Sequence, residues 1–324
     1  MQTRRSMVLA MALFACAPSC GKTPTAAAVE GVDATATATA PPTATVPPAL
    51  TDLDGDGVSM LFPSAASGSS FRLGAQDPNN TPNFQIENGT PATPATDGAI
   101  NYFTMPAYDF KYASGGAGKT SRLHIHASGG DQRFTWKTQQ GYLSSPADVK
   151  NQELTVYARY RGVYDATRAF FTLKIRGGKH TTDGDLASCV MLTLQSAESG
   201  AATRFGKELT HPNYDYVKLT PAFDTHLVES VWFGLKLVSY GVPNDATRVV
   251  NRLYADTDPF DPVTGKPKNG WRLLSEYVDV EGVSTGKLYT KLVDWGGWQT
   301  TFRTDGVLTV DFAIVSVREI VPPK

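Results

Sequence analysis

The sequence has few cysteines, almost no net charge and no long apolar segment beyond its N-terminus, and each shortage excludes a class of protein. Three cysteines occur in 324 residues, Cys16, Cys20 and Cys189. Because only Cys189 lies in the main body of the chain, a disulfide framework and a cysteine zinc cluster are excluded there. The formal net charge of −1 gives no overall attraction for polyanions, and we predict no nucleic-acid partner.

Several enzyme signatures are also missing. The chain contains no GxSxG elbow, no P-loop and no Rossmann glycine fingerprint, so it offers no motif for a serine hydrolase or a nucleotide enzyme. The nearest acidic run contains Glu276, Asp279 and Glu281. Strand alternation places Glu276 opposite the other two, which argues against a glycosidase built on one strand. Cys189 lies in the apolar run ASCVMLTL and is predicted to be a small buried hydrophobic residue.

The N-terminus is typical of an exported, lipid-anchored bacterial protein. Residues 1–20 combine two arginines with a short apolar run, which predicts a signal peptide rather than a membrane-spanning helix. Leu13-Phe14-Ala15-Cys16 resembles a lipobox, with Cys20 as the alternative lipidated cysteine. Residues 21–50 are mostly Thr, Ala and Pro and predict a disordered tether. We expect a folded domain over 51–324, held at the outer membrane or cell surface or secreted, with membrane contact only through the lipid.

An acidic turn begins that domain. Asp52, Asp54 and Asp56 alternate with Leu53 and Gly55, a spacing that offers several oxygens to a hard cation. A complete EF-hand loop would place a glutamate where Pro63 stands. A structural calcium ion and a solvated turn both remain open, and no other cofactor is predicted.

Short β-rich runs recur through the rest of the chain, separated by many of its 29 glycines and 21 prolines. About a dozen such runs predict an all-β fold, an antiparallel two-sheet β-sandwich of the jelly-roll kind. The predicted strands are 71–73, 99–103, 121–127, 133–139, 152–161, 169–176, 187–195, 231–240, 249–256, 272–278, 298–303 and 309–319.

Four of these strands carry apolar residues on one face and cationic or aromatic residues on the other. We expect the polar faces to line one concave groove; a plain solvated face is the alternative. The cationic and aromatic residues on these faces are Arg122, His124, His126, Tyr157, Arg159, Arg161, Lys174, Arg176, Trp232, Lys236 and Tyr240. The strand 170–176 leads into a glycine turn that carries His180. A loop is predicted at 204–216, and it adds Lys207, Glu208, His211 and Tyr214.

Four sequence segments resemble the concanavalin-A-like jelly-roll superfamily, and within it the polysaccharide lyases of the alginate and glucuronan type. They are RLHIH at 122–126, KIRGGKH at 174–180, RFGKELTHPNY at 204–214 and FRTDGVLTVDFAIVSVREI at 302–320. The resemblance implies β-elimination on a uronate-containing polysaccharide. The lyase strand motifs Arg-x-Glu-Leu-Arg, Gln-Ile-His and Tyr-Phe-Lys-Ala-Gly are not present verbatim.

Removal of the proton on C5 of a uronate needs cations to offset developing charge, a base and an acid. We predict a catalytic set of Arg176, His180, His124 and Tyr214. The predicted substrate-binding residues are Arg122, His126, Arg159, Lys174, Lys207, Glu208, His211, Trp232, Lys236 and Tyr240. The expected partner is an acidic polysaccharide, bound by a monomer. The alternative is a carbohydrate-binding or adhesive lipoprotein that uses the same groove without catalysis.

Overall fold

The computed structural model describes residues 52–73, 84–89, 91–112, 115–126, 149–177, 189–297 and 299–324. Within them the chain forms two eight-stranded sheets, and all strand pairs are antiparallel. The strands are β1 Ser70–Arg72, β2 Phe84–Ile86, β3 Thr93–Asp97, β4 Ile100–Pro106, β5 Tyr108–Lys111, β6 Ala117–His126, β7 Gln152–Val163, β8 Phe170–Gly177, β9 Cys189–Gln195, β10 Thr203–Thr210, β11 Asn213–Leu219, β12 Phe233–Val242, β13 Asp245–Asp256, β14 Arg272–Val280, β15 Gln299–Asp305 and β16 Val307–Glu319. The predicted all-β sandwich is confirmed.

We call the two sheets the back sheet and the front sheet. The back sheet has the order β14-β13-β12-β7-β16-β4-β3, and β1 also pairs with β16. The front sheet has the order β11-β10-β9-β8-β15-β6-β2, and β5 also pairs with β6. Single-turn 3-10 helices occur at Glu87–Gly89 and Ala166–Arg168. Among the described residues no helix is long and apolar enough to span a membrane.

The hydrophobic core lies between the sheets because each strand turns alternate residues inward. Leu154, Val156 and Ala158 of the back sheet and Leu173 and Ile175 of the front sheet belong to one buried cluster. Aromatic rings also join the sheets. The Phe171 ring lies 5.4 Å from that of Phe233 and 6.1 Å from that of Phe312, in edge-to-face arrangements.

A bulge in β8 changes the face on which the strand's last residues lie. Lys174 pairs with Thr301 and Gly177 pairs with Gln299, so β8 has one residue more than β15 between these pairs. Arg176, inside the bulge, has a positive φ of 55°. The bulge breaks the alternation, and the Arg176 side chain is fully buried instead of lying on the outer face with Lys174. The predicted exposure of Arg176 is therefore wrong.

The outer face of the back sheet is covered by other parts of the chain. Phe62, Tyr240 and Tyr254 form one buried cluster on this face, and Tyr157 and Phe260 belong to a second. The partly buried Trp271 packs against both clusters. Tyr240 and Lys236 are buried beneath this layer, at 4% and 1% exposure. This face therefore offers no open groove at either residue.

The loop predicted over residues 204–216 is a hairpin of β10 and β11. Arg204 pairs with Lys218, and Glu208 pairs with Tyr214 across it. A cis peptide bond joins His211 to Pro212 in its turn. The predicted strand 133–139 and the predicted signal and tether segments lie outside the described residues.

Candidate functional site

The outer face of the front sheet carries a pocket of about 490 Å³, which we call the front pocket. Its cationic lining residues are Arg168, Lys174, Arg204 and Arg303. Its aromatic lining residues are Phe110, Phe170, Tyr112, Tyr214 and Tyr216. Cations and aromatic rings on a rigid sheet form a surface suited to an anionic ligand with apolar ring faces.

Strand register brings these side chains together. Lys174 lies opposite Met191, Met191 lies opposite Gly206, and Gly206 lies opposite Tyr216. Gly206 has a steric role, since a Cβ there would come within 2.8 Å of Met191 and of the Tyr216 ring. A side chain at this position would displace Tyr216 from the pocket floor.

A polar cluster at one side of the pocket consists of Lys174, Cys189, Glu208, His211 and Tyr214. The Lys174 Nζ donates a hydrogen bond to the Tyr214 hydroxyl at 3.2 Å and lies 3.9 Å from a Glu208 oxygen. The Glu208 carboxylate lies 2.7 Å from the Nδ1 of His211. The Cys189 thiol donates to the same carboxylate at 3.4 Å. Glu208 thus connects the other members of the cluster.

Burial and charge set the ionisation of this cluster. Burial acts to raise the pKa of Glu208, but Lys174 and the hydrogen bonds from His211 and Tyr214 lower it below the usual value. Burial acts to lower the pKa of Lys174, and Cys189, Tyr214 and Glu208 raise it by more. Burial raises the pKa of Tyr214 and raises that of Cys189 to about 12. At neutral pH the cluster therefore holds an ammonium, a carboxylate, a phenol and a thiol.

A second charged pair lies at the pocket floor. Arg303 donates from Nε to Asp305 at 2.9 Å and from a terminal nitrogen at 2.5 Å. The two residues are two apart on β15 and therefore share its outer face. Burial acts to lower the pKa of Arg303, and Asp305 raises it by more, so the guanidinium stays charged.

The loop that supplies Leu288 to the pocket is fixed by one carboxylate. Asp215 on β11 accepts hydrogen bonds from four consecutive backbone N–H groups, those of residues 286–289, at 2.7–3.2 Å. Burial acts to raise the pKa of Asp215, but these four bonds lower it. The Tyr289 hydroxyl also donates to the Asn213 carbonyl at 2.8 Å. The loop is thus attached to the hairpin that carries the polar cluster.

His124 and Arg122 lie on the same outer face, on β6. Arg122 donates to Glu87 at 2.7 Å, and the His124 Nε2 lies 2.9 Å from the other oxygen of that carboxylate. The His124 Nδ1 lies 2.9 Å from the Thr301 hydroxyl. His124 is 2% exposed, so its ring is enclosed by these partners. Thr301 pairs with both His124 and Lys174, which places His124 two strands from the polar cluster.

Two predicted site residues lie between the sheets. Arg176 donates to the Trp295 carbonyl at 2.7 Å and to the Ser239 hydroxyl of the back sheet at 3.3 Å. Burial lowers the pKa of Arg176 to about 10. Lys207 is fully buried and donates to Asp279 at 2.9 Å. Both positions are corrections to the sequence-based site, because neither side chain reaches the front pocket.

The four polar strand faces do not form one groove. β6 and β8 belong to the front sheet, whereas β7 and β12 belong to the back sheet. Arg159 of β7 donates to Asp311 at 2.8 Å and lies over the Trp232 ring at 4.5 Å. Lys236 donates to Glu153 at 2.8 Å. Arg159, Trp232, Lys236 and Tyr240 are therefore not part of the front pocket.

Three further expectations concern other parts of the chain. His180, the side chain of His126, Cys16 and Cys20 lie outside the described residues. Asp54 accepts backbone hydrogen bonds from Asp56 and Val58, and Asp56 pairs with Arg72 at 3.3 Å. No group of three or more His, Cys, Asp or Glu residues in the described ranges is arranged to hold a metal ion. The acidic turn is thus organised by its own backbone and by Arg72.

Sequence reasoning missed several pocket residues. Arg303 and Asp305 lie in the segment FRTD at 302–305, and their two-residue spacing already predicts that they share one face of a strand. Arg168 lies in a 3-10 turn, which no strand pattern marks. Cys189 faces Glu208 rather than the core, because Val190, Leu192 and Leu194 take the inward positions.

No protein-family model matches the chain, and no curated protein matches it by sequence. Similar solved structures include the VIP36 exoplasmic/lumenal domain in its Ca²⁺-bound form, with 8% identity over 75% of this chain and 86% of that one, at a TM-score of 0.38. Peanut lectin has 8% identity over 80% of this chain and 100% of its own, with a TM-score of 0.39. An endo-beta-1,4-glucuronan lyase from the fungus Trichoderma reesei has 12% identity over 72% and 90%, with a TM-score of 0.40. At these scores the similarities carry no argument about activity.

Proposed function

We propose that this protein is a polysaccharide lyase that binds a uronate-containing polysaccharide in the front pocket and cleaves it by β-elimination. The observation that carries the proposal is the hydrogen bond between the Lys174 ammonium and the Tyr214 hydroxyl, in a pocket also lined by Arg204 and Arg303. We infer that Tyr214 is the acid, next to the Lys174 ammonium, in a pocket that holds two further cations.

The cations match the first requirement of the reaction. Loss of the C5 proton adds negative charge next to a carboxylate that is already ionised, and fixed positive groups offset that charge. Arg204 and Arg303 both line the pocket, and Lys174 carries a charge that burial does not remove. We assign the carboxylate to Arg204 and Arg303 and the developing phenolate to Lys174.

The hairpin turn supplies a base. The His211 ring is 31% exposed, and its Nδ1 lies 2.7 Å from the Glu208 carboxylate. When Nδ1–H donates to Glu208, Nε2 is the basic nitrogen of the neutral ring. In the proposed step Nε2 takes the C5 proton, and the electron pair of the C–H bond forms the C4–C5 double bond.

Tyr214 completes the elimination. The C4–O4 bond breaks, and the leaving oxygen takes the phenolic proton of Tyr214. The resulting phenolate is stabilised by the Lys174 ammonium at 3.2 Å. A proton then passes from His211 to Tyr214 through solvent, which returns both residues to their starting states. The products are a free hydroxyl end and an unsaturated uronate.

A second candidate function is carbohydrate binding without catalysis. His124, expected as a catalytic residue, is 2% exposed and enclosed by Glu87 and Thr301. The polar cluster residues are also paired with one another. These pairings favour a rigid binding surface in which the same cations hold an acidic chain.

Product formation separates the two candidates. The purified protein is incubated with alginate, glucuronan and other polyuronates, and with a neutral glucan as control. A lyase produces a conjugated unsaturated uronate, so ultraviolet absorbance rises with time on at least one polyuronate. Binding to a polyuronate by calorimetry with no absorbance rise supports the second candidate. If the protein neither binds nor cleaves any of the polyuronates, the assignment of the front pocket as their site is overturned.

We propose further that residues 1–20 direct export and that Cys16, or alternatively Cys20, carries a lipid anchor. Residues 21–50 are then a tether between that anchor and the folded domain. The proposal rests on the signal-like and lipobox-like sequence alone. Metabolic labelling with a fatty acid analogue tests it. Label that is lost in Cys16→Ser but retained in Cys20→Ser identifies Cys16, and an unlabelled wild-type protein overturns the anchor.

A further inference from the structure

Two cations lie opposite each other at the edge of the front pocket. Arg204 on β10 pairs with Lys218 on β11, the outermost strand in the order of the front sheet. Residues directly opposite in an antiparallel pair carry their side chains on the same face, with Cβ atoms about 4.5–5.5 Å apart. Since Arg204 lines the front pocket, the Lys218 side chain lies on the same outer face, one strand further out.

Neither of these two cations has a counter-charge among the described residues. In that part of the chain, no ion pair and no side-chain hydrogen bond involves Arg204 or Lys218. The other three cationic lining residues of the front pocket each lie 2.5–3.9 Å from a carboxylate oxygen. Like charges directly opposite each other on two strands are destabilising. The fold alone therefore does not account for this pair, and an anion bound between the two side chains offsets their repulsion.

An exposed aromatic ring lies next to the pair. Tyr216 precedes Lys218 by two residues on β11, so both side chains lie on the outer face. Tyr216 is 45% exposed, and its ring stacks on that of Tyr214 with centroids 5.9 Å apart and planes 12° apart. The stacked rings extend from the proposed acid, Tyr214, towards Lys218. An exposed ring beside a cation suits the face of a sugar unit together with its carboxylate.

The spacing of the strands suits a polysaccharide chain that crosses the front sheet. Strand pairing runs from Arg303 through Thr172 and Thr193 to Arg204 and Lys218, so these residues form one row across adjacent strands. Neighbouring strands lie about 4.8 Å apart, which is close to the length of one sugar unit in a polysaccharide. The row therefore allows one charged sugar to lie in the front pocket while the next lies at Lys218.

We propose that Lys218, Arg204 and Tyr216 form a second subsite, which binds the uronate next to the one that is cleaved. This inference rests on the proposed function of the front pocket and makes its substrate class more specific. The neighbouring carboxylate lies between Lys218 and Arg204, and the ring of that sugar lies on Tyr216. The five N–H donors of Arg204 allow it also to hold the reacting carboxylate. The preferred substrate is then a chain of consecutive uronates rather than one in which uronates alternate with neutral sugars.

The stability of charge variants tests the pair of cations without any sugar. Lys218→Glu places an opposite charge across from Arg204, so we expect its midpoint of urea denaturation to rise above that of the wild type. Lys218→Met removes only the repulsion and is expected to lie between the two. The matched control is Lys266→Met, an exposed lysine in the turn between β13 and β14, with an unchanged midpoint expected. An unchanged or lower midpoint in Lys218→Glu shows that the two cations do not repel each other and overturns the proposal.

The second test measures binding by calorimetry, with a polyuronate and with the same polymer after half of its carboxylates have been reduced to alcohols. The reduced polymer keeps the backbone but has few consecutive uronates. We expect Lys218→Met to weaken binding of the intact polymer roughly threefold to fivefold, as for one exposed ion pair, and to leave binding of the reduced polymer nearly unchanged. Lys266→Met loses the same net charge and is expected to bind both polymers as the wild type does.

The outcomes separate this inference from the proposed function. A wild type that binds no polyuronate overturns both. If the wild type binds, the second subsite alone is overturned when Lys218→Met binds the intact polymer as tightly as Lys266→Met does. An equal loss of binding on both polymers also overturns it, because Lys218 would then act on any uronate rather than on a neighbouring one. Weaker binding of the intact polymer together with a higher urea midpoint supports the subsite, since loss of a merely structural lysine lowers both.

Discussion

Arg176 of the front sheet donates a hydrogen bond to Ser239 of the back sheet at 3.3 Å, so a guanidinium joins the two sheets inside the core. The same side chain donates to the Trp295 carbonyl at 2.7 Å. Removal of a fully buried donor leaves these acceptors without their bonds, which costs about 1–3 kcal/mol for each group. This relationship makes Arg176 a stabilising residue.

Arg176→Met is expected to lower the free energy of unfolding by about 2–4 kcal/mol. Urea denaturation followed by tryptophan fluorescence measures the change. The matched control is Arg248→Met, whose side chain is 56% exposed and whose loss is expected to cost about 0–1 kcal/mol. Equal stability of the two variants would show that Arg176 makes no net contribution to the fold.

Asp215→Asn is expected to release the loop over residues 286–289, because an amide is a weaker acceptor for four N–H groups than a carboxylate. Hydrogen exchange of these four amides measures the release, and we expect faster exchange there than in the wild type. Asp261→Asn, in an exposed turn where Asp261 accepts from residues 263 and 264, is the control. Unchanged protection in Asp215→Asn would contradict the proposed attachment.

Because of the Asp215 carboxylate, we expect the hydrogen-exchange protection of amides 286–289 to depend on pH. The pKa of Asp215 is lower in the folded protein than its ordinary value of 3.8, so the carboxylate stabilises the folded loop above that value. The stabilisation is lost as the pH falls through the lower, folded pKa. Amides 286–289 should therefore keep their protection at pH 4 to 5 and lose it only in stronger acid. Loss of protection near pH 5 would contradict a lowered pKa.

Tyr214 predicts the alkaline behaviour of the proposed lyase. A general acid works only while it is protonated, and burial raises the pKa of Tyr214 above the ordinary 10.0. Turnover is therefore expected to persist to a higher pH than an ordinary phenol would allow. A pH–rate profile measures the alkaline pH at which turnover falls, and circular dichroism at each pH is the control for unfolding. A decline centred well below pH 10 in folded protein would exclude Tyr214 as the acid.

Strand alternation predicted the inward and outward faces of most strands, but it carries no information on which sheet a strand joins. Lys174 and Lys236 have the same kind of pattern around them, yet they lie in different sheets. Alternation also fails at a bulge, and the register shift beside Lys174 moved Arg176 into the core. The β-sandwich was therefore predictable from the sequence, whereas a single groove was not.

The polar cluster was partly predictable. Glu208, His211 and Tyr214 were selected because titratable and phenolic residues are concentrated in one short segment. The pairing of that segment with Cys189 and Lys174 depends on the order of β8, β9, β10 and β11, which only the fold provides. Arg168 was missed because its position depends on the packing of a 3-10 turn beside the sheet.

The role of Lys174 is tested by Lys174→Met, which keeps most of the side-chain length and removes the ammonium. We expect a loss of turnover of about 10²–10³-fold on a polyuronate, because the phenolate of Tyr214 loses its stabilising charge. Lys268→Met is the matched control, since Lys268 is exposed and its ion pair with Asp258, at 2.7 Å, is exposed as well. Turnover in Lys174→Met equal to that of the control would remove Lys174 from the mechanism.

The most direct test of the account is the initial rate of ultraviolet absorbance increase on a polyuronate, measured for the wild type, Tyr214→Phe and the exposed control Tyr164→Phe. The account predicts a rise for the wild type and the control, and a rate about 10²–10⁴-fold lower for Tyr214→Phe with binding of the polymer retained. A Tyr214→Phe variant that cleaves the polymer as fast as the wild type would contradict the central claim that Tyr214, held beside Lys174, protonates the leaving oxygen.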